Sequence, residues 1–271
     1  MKKVAKKKAA KKKVTKKKVA KKKTTKKKAM KKAKSPLTKA QIKEFKEAEE
    51  AAEDSYDFRN VAYDIADAGD KEWAKKVYKK AEGKAEDYSD FSGLADSIHE
   101  QLGDKEWAEK NYKKAADKAE DFSDFSGLAD TIYEQLGDKE WAKKVYKRAD
   151  DKAKDFSDFI VLADNIYKNL GDKEWARRIY KIVEGKIDNC HIDQYYYVEF
   201  ADDICNYLGD KEWAKKVYKK AEERGIELSM LAASIRDNLG DKKWAKLLDQ
   251  KAKELSEEND DEDDDYDEED D

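Results

Sequence analysis

Side chains that commonly carry chemistry are scarce in this sequence and scattered. It has two histidines, His99 and His191, and two cysteines, Cys190 and Cys205. It contains no glycine-rich phosphate loop, nucleophile elbow or paired-histidine motif. The abundant carboxylates lie in strongly charged helical segments, where such groups usually form solvated faces. The sequence therefore predicts a protein that is not an enzyme and that uses no cofactor.

The closest approach to a metal-binding group is Cys190-His191 together with Cys205. A metal ion there needs a fourth ligand, such as Asp193, and the spacing matches no zinc pattern. We therefore expect no metal site, and two cysteines fit a reducing compartment. We expect the following run, 195–197, which is Tyr-Tyr-Tyr, to be local core rather than a platform for stacking.

The first 34 residues form a lysine-rich tail with 20 Lys and no acidic residue. Like charges repel and nothing in this tail can bury a core, so residues 1–37 are predicted to be disordered. A flexible cationic arm binds nucleic acid or other polyanions without sequence preference, through release of counterions. The candidate contacts are Lys6, Lys7, Lys8, Lys11, Lys12, Lys13, Lys16, Lys17, Lys18, Lys21, Lys22, Lys23, Lys26, Lys27 and Lys28.

The opposite end of the sequence is acidic. Residues 257–271 contain 13 Asp or Glu and no basic residue. We predict a disordered acidic tail at 256–271, which leaves 38–255 as the helical domain. The acidic tail suits basic partners. The nearly balanced net charge of −3 therefore conceals a strongly polar arrangement.

Six tryptophans mark an internal repeat of about 34 residues, each inside a phrase close to Leu-Gly-Asp-Lys-Glu-Trp-Ala. A fixed period in this range is typical of stacked supersecondary units. We interpret the phrase as a turn, a helix cap and a core anchor rather than a ligand loop. The tryptophans assigned this structural role are Trp73, Trp107, Trp141, Trp175, Trp213 and Trp244.

One repeat shows why helix pairs are expected. A first helix ends at Gly103, which can adopt the left-handed conformation that closes a helix, and Asp104 caps the next helix. Its apolar residues share one face, so neither helix can bury its apolar side alone. The fold predicted is an all-α solenoid of about six antiparallel helix pairs, with about thirteen helices and disordered termini. The face-sharing residues of the first helix are Phe91, Leu94, Ala95, Ile98 and Leu102.

The second helix of each repeat resembles the second half of a tetratricopeptide repeat. The resemblance lies in Gly103-Asp104 followed by Ala108, Tyr112 and Ala115, and it recurs along roughly residues 55–255. The first helix is less similar, the closing proline is missing, and repeats two to four have an extra residue before the Gly-Asp turn. The resemblance implies peptide or protein binding on a concave face and no catalysis. The tail is similar in composition to the arms of linker-histone-like and bacterial histone-like proteins.

The same resemblance places the first helices along a binding groove. It would carry one aspartate per repeat, beside a second row just after the core isoleucines. Such an acidic, aromatic-edged groove suits lysine-rich extended peptides, although the alternation of charge could equally serve only to keep stacked helices soluble. The candidate groove residues are Asp96, His99, Asp130, Tyr133, Asp164, Tyr167 and Asp202.

These features predict a non-enzymatic scaffold or adaptor. Its solenoid would bind protein partners, including lysine-rich ones, and its lysine-rich tail would bind nucleic acid non-specifically. The alternative is a chaperone or adaptor for basic proteins that uses the acidic groove and tail. No run of apolar residues is long enough to cross a bilayer, so no membrane partner is expected. We expect a cytoplasmic or nucleoid-associated location, or the nucleus in a eukaryote.

Overall fold

A computed structural model describes residues 36–187 and 195–262 of the chain. In these residues the regular structure is entirely helical, which confirms the predicted all-α class, and it comprises thirteen α-helices. The helices are α1 Lys39–Ala51, α2 Ser55–Ala68, α3 Lys71–Lys84, α4 Tyr88–Ser97, α5 Lys105–Lys118, α6 Phe122–Thr131, α7 Lys139–Lys152, α8 Phe156–Asn165, α9 Lys173–Ile187, α10 Tyr195–Asp203, α11 Lys211–Glu223, α12 Leu228–Ser234 and α13 Lys242–Glu262.

The two predicted tails fall mostly outside this description. Residues 1–35 and 263–271 are not among the described residues. Helix α13 continues to Glu262, so the helical domain extends past the predicted boundary at residue 255. None of the helices in the described ranges is both long and apolar enough to cross a membrane.

Helices α2 to α13 form six consecutive pairs, here called repeats 1–6, whose two members pack on each other. The turn inside each pair is built as the sequence predicts. In repeat 3, Gly137 has φ +70°, a conformation that favours glycine, and the Asp138 side chain accepts from the Trp141 backbone N–H at 3.0 Å. Two consecutive residues thus end the first helix and cap the second helix.

The chain divides into two compact units, which are described separately. Unit 1 holds α1 and repeat 1, together with Glu100–Gly103. Unit 2 holds Glu86–His99 and the described residues from Asp104 onward, and so most of repeats 2–6.

In unit 1, α1 takes the place of a second helix. Thr38 caps it in a capping box with Gln41. The Phe45 ring meets the Trp73 ring edge-on at 6.1 Å, and the Trp73 Nε1 donates to Glu49 at 2.8 Å. Helix α1 thus contacts Trp73 of repeat 1 in the way that a preceding second helix contacts the tryptophan of a later repeat.

The extra residue before the Gly-Asp turn is absorbed by a π-helical turn. A π turn has one more residue than an α turn, so an insertion can be accommodated without shifting the buried face of the preceding helix. In repeat 1, which lacks the extra residue, the first helix runs directly to Gly69. The π-helical turns are Ile98–Leu102, Ile132–Leu136, Ile166–Leu170, Ile204–Leu208 and Ile235–Leu239.

The core of unit 2 follows the predicted helix faces, with one difference. In α4 and the start of its π-helical turn, the predicted residues Phe91, Leu94, Ala95 and Ile98 are buried, whereas Leu102, which belongs to unit 1, is half-buried. In the second helices the fully buried aromatic residue is the tyrosine five positions after the tryptophan, such as Tyr146. The tryptophans are half-buried except Trp213, which is 6% exposed. The indole N–H groups of Trp73, Trp175, Trp213 and Trp244 donate to carboxylates at the edge of the core.

Candidate functional site

The four predicted groove aspartates share one contact. Each accepts a hydrogen bond from the hydroxyl of the tyrosine sixteen residues later, on the second helix of its own repeat. The pairs are Tyr112–Asp96 at 2.5 Å, Tyr146–Asp130, Tyr180–Asp164 at 2.5 Å and Tyr218–Asp202. Each bond satisfies the hydroxyl of a tyrosine whose ring lies in the core, and it joins the two helices of the repeat.

Asp130 also joins two repeats. The Asn165 Nδ2 of repeat 4 donates to Asp130 Oδ2 at 2.9 Å, and the Asn169 Nδ2 donates to Asp130 Oδ1 at 2.7 Å. Asn169 lies 2.7 Å from the Tyr146 hydroxyl as well. Burial raises the pKa of Asp130, and the bonds from Tyr146 and Asn169 act in the opposite direction. Both carboxylate oxygens are therefore engaged by protein donors.

Asp202 has the corresponding place two interfaces further along, between repeats 5 and 6. Its Oδ2 accepts from the Ser234 hydroxyl at 3.2 Å and its Oδ1 accepts from Asn238 Nδ2 at 2.8 Å, both from repeat 6. Burial raises the pKa of Asp202, which the bonds from Tyr218, Ser234 and Asn238 oppose. These bonds give Asp130 and Asp202 a structural function, and a role for them in binding a partner remains a prediction.

The side chains predicted beside the aspartates have different surroundings. His99, Tyr133 and Tyr167 are half-buried, and the Tyr167 ring stacks on Tyr207 of the next repeat with centroids 4.8 Å apart. Cys205 is buried and its thiol donates to the Asn238 carbonyl at 3.3 Å. Repeats 4 and 5 therefore share an aromatic contact in which Tyr207 is a member that the sequence reasoning missed, and the binding groove itself remains a prediction.

A group of carboxylates lies beside this aromatic pair. The Lys168 Nζ is 2.7 Å from Asp164 Oδ2 and 5.2 Å from the centre of the Tyr207 ring. Burial, and then the negative charges of Asp164 and Glu199, raise the pKa of Asp203 to about 8, against the opposing effect of Lys168. Carboxyl groups of the first helices are therefore clustered around Asp164 and Asp203, where burial favours the protonated form of Asp203 and Lys168 pairs with Asp164.

The second helices carry a contact between repeats that the sequence reasoning also missed. The Trp213 Nε1 donates to Glu184 at 2.8 Å, and Trp175 and Trp244 make the same bond to Asp150 and Glu222. Each acceptor stands nine residues after the tryptophan of the preceding repeat. An acidic residue recurring at that position was the signal in the sequence.

Two further predictions concern the region around residues 188–197. Cys190, His191 and Asp193 lie outside the described residues. The expectation of local core holds for Tyr197, which is buried and donates to the Ile187 carbonyl at 2.9 Å, but is wrong for Tyr195 and Tyr196, which are 50% and 38% exposed. They stand at the start of α10, before its buried face begins.

Charge is divided between the two kinds of helix. The first helices of repeats 2–5 with their π turns contain 11 acidic residues and one basic residue. The second helices of the same repeats contain 21 basic and 11 acidic residues. First helices of successive repeats pack on each other in unit 2, for instance α6 on α8 and α10 on α12. Their exposed surfaces therefore form a layer that is strongly acidic.

No protein-family model and no curated protein match this sequence. Among solved structures, the chain is similar to a circular tandem repeat protein with a novel repeat topology and enhanced subunit contact surfaces. The sequences are 17% identical, and the match covers 75% of this chain and 44% of that one, so the chain spans less than half of its length. The TM-score of 0.15 is too low for the likeness to carry an argument.

Proposed function

We propose that this chain is a non-enzymatic scaffold, in which the first helices bind protein partners and the lysine-rich tail binds nucleic acid or another polyanion. The observation that carries the proposal is the acidic layer of first helices in unit 2, which holds 10 of the 11 acidic residues counted above and one basic residue. Complementary charge favours association with basic partners and speeds their encounter. Repeated helix pairs offer such a surface over several repeats.

The contacts within unit 2 indicate which groups of this layer a partner can use. Glu134 and Glu199 are exposed and close to the half-buried aspartates. Asp130 and Asp202 already accept bonds from neighbouring helices, so a partner would have to compete for them. The stacked Tyr167 and Tyr207 supply an aromatic surface beside the acidic groups, which suits the aliphatic stem and ammonium group of lysine.

The lysine-rich tail supplies the second activity of the proposal. If six to ten of its lysines contact phosphates at once, the logarithm of the affinity should fall with the logarithm of salt concentration with a slope of roughly −5 to −9. Removal of residues 1–34 should weaken duplex DNA binding strongly in a filter assay. Unchanged binding would show that the tail is not the nucleic-acid site.

A second candidate function is that of a chaperone or adaptor for basic proteins. The acidic first helices favour it, as do the 13 acidic residues of 257–271. In that case the natural partner would be a basic protein, and pull-downs treated with nuclease would retain it.

The protein-binding proposal can be tested with a fluorescent lysine-rich peptide. We expect the combined variant Glu134→Gln and Glu199→Gln to weaken binding several-fold. The matched control is Glu140→Gln with Glu212→Gln, which removes the same charge from exposed positions on second helices. If both variants lose the same affinity for the peptide, the loss reflects only the change in net charge. If the unmodified chain does not bind the peptide, the proposal is wrong.

A further inference from the structure

The second helices of repeats 2–5 carry a positively charged residue at the same two positions in every repeat. Residues three and six places after each tryptophan in repeats 2–5 are all Lys or Arg. Positions separated by three residues lie on the same face of a helix. We call this set the Lys/Arg row, and its members are Lys110, Lys113, Lys144, Lys147, Arg178, Lys181, Lys216 and Lys219.

Most of the Lys/Arg row is available to a ligand. Three members have carboxylate partners: Lys113 with Glu109, Arg178 with Asp150, and Lys181 with Glu184. The other five make no ion pair or hydrogen bond with any of the described residues, and all five are exposed: Lys110, Lys144, Lys147, Lys216 and Lys219.

Several acidic groups of the second-helix layer are bound to other groups of the fold and pair with none of these five lysines. Glu184 and Glu222 accept the indole N–H groups of Trp213 and Trp244. The carboxylates that cap the second helices pair with a base two residues after the preceding tryptophan, as in Lys143–Asp172 at 2.8 Å and Arg177–Asp210 at 2.7 Å. The second helices of repeats 2–5 thus retain a clear excess of positive charge.

We propose that the Lys/Arg row of unit 2 is a second binding surface for duplex nucleic acid, separate from the lysine-rich tail. Side-chain bonds such as Trp175 to Asp150 and Trp213 to Glu184 join successive second helices. At a spacing of roughly 8–10 Å between neighbouring helices, the four repeats place their lysines across roughly 25–30 Å. A duplex presents a phosphate about every 1.7 Å of its axis, and therefore offers a partner to every lysine of the row. The contacts fall on phosphates, so binding does not depend on sequence.

The alternative occupant is the acidic segment 257–271 of the chain itself. A duplex already holds its charges at regular spacing and so loses little conformational entropy on a fixed row of charges, a cost that a peptide ordered on the row must meet. This difference favours the duplex. The inference does not depend on the tail, because the row belongs to the helices of unit 2.

The test is lysine footprinting of the full chain by acetylation and mass spectrometry, with and without a mixed-sequence DNA duplex at low salt. We expect the duplex to protect the five unpaired lysines of the row. The internal controls are Lys243 and Lys253, which are exposed elsewhere in the described residues and should react equally in both samples. Absence of protection on the row would overturn the proposal.

A variant of the full chain with all five lysines changed to Gln gives an independent measurement. The slope of log affinity against log salt should become shallower by about 4, since each lost phosphate contact contributes about 0.9. A control with five tail lysines changed, Lys6, Lys11, Lys16, Lys21 and Lys26, should keep the footprint on the row. If the affinity for the duplex is unchanged in this control but falls in the helix variant, the tail does not bind the duplex and the Lys/Arg row does.

The acidic segment is distinguished by the same footprint. If the five lysines are already protected in the free chain and become reactive when 257–271 is removed, the segment occupies the row and the proposal for duplex nucleic acid is wrong. We expect the Gln variant to remain helical, since exposed Lys and Gln have similar helix propensities. Circular dichroism is the measurement that checks this.

Discussion

The indole Nε1 of Trp213 donates a hydrogen bond of 2.8 Å to Glu184, which lies at the end of the preceding second helix. Lys181 reaches the same carboxylate at 2.8 Å and lies 3.7 Å from the centre of the Trp213 ring. A repeated phrase in the sequence therefore does two things at once: its tryptophan packs on its own helix pair and also ties that pair to the one before.

Glu184→Ala should destabilise unit 2. The change leaves the indole N–H of Trp213 without its acceptor in a setting where the side chain is only 6% exposed. An unsatisfied buried donor costs about 1–3 kcal/mol in the free energy of unfolding, to be measured by urea denaturation. Glu223→Ala, at an exposed position, is the control and should stay within about 0.5 kcal/mol of the unmodified chain.

Asn111→Val should stabilise the protein. Asn111 is fully buried, and its Oδ1 has no hydrogen-bond partner although its Nδ2 donates to the Trp107 carbonyl at 3.0 Å. The corresponding residues of repeats 3 and 5 are Val145 and Val217. Removal of the unsatisfied oxygen should raise the free energy of unfolding by about 1–2 kcal/mol. The reverse change, Val145→Asn, should lower it, and an effect of the same sign in both variants would contradict the argument.

Asp203 should make the stability of unit 2 depend on pH. Its pKa is about 8 in the folded chain, mainly because of burial, and about 3.9 when unfolded. Between these values the folded state binds the additional proton, so the free energy of unfolding falls as pH rises through this window and is lowest above the folded pKa. The free energy of unfolding is reduced most at pH values where the Asp203 carboxyl is ionised beside Asp164 and Glu199.

Asp203→Asn removes that dependence and copies the neutral Asn165 of repeat 4. We compare the free energy of unfolding of the variant with that of the unmodified chain by urea denaturation at two pH values. The difference in favour of the variant should be larger at pH 8.5 than at pH 5 by at least about 1 kcal/mol, since one pKa unit corresponds to 1.36 kcal/mol. If the variant and the unmodified chain differ in free energy of unfolding by the same amount at pH 5 and pH 8.5, the pKa of Asp203 is not raised in the folded chain.

Asp130→Ala should cost more stability than the loss of a residue that serves only to bind a partner. It removes the acceptor for Tyr146, Asn165 and Asn169 and leaves the hydroxyl of a buried tyrosine unsatisfied. We expect a loss of about 2–3 kcal/mol by thermal or urea unfolding. Glu134→Ala, one turn later and exposed, should be nearly neutral, so a small effect in both would refute the structural function of Asp130.

The partners of the groove aspartates were in part readable from the sequence. Asp and Tyr sixteen residues apart occur together in repeats 2–5, and in repeat 6 both are replaced, by Ala233 and Asp249. Such joint occurrence indicates a contact. The bonds from Asn169 and Asn238 could not be predicted, because they depend on how one repeat is placed against the next.

The sequence by itself determined the helices and their ends. Spacing of apolar residues, the glycine that ends each first helix and the aspartate that caps each second helix act within a few residues, so the thirteen helices and their pairing followed from local rules. Only the tertiary structure decided how far each aromatic side chain is buried and which carboxylates are already engaged. Those properties depend on neighbours about 16 to 39 residues away, such as Tyr146 and Asn169 around Asp130, whose approach is fixed by packing rather than by local sequence.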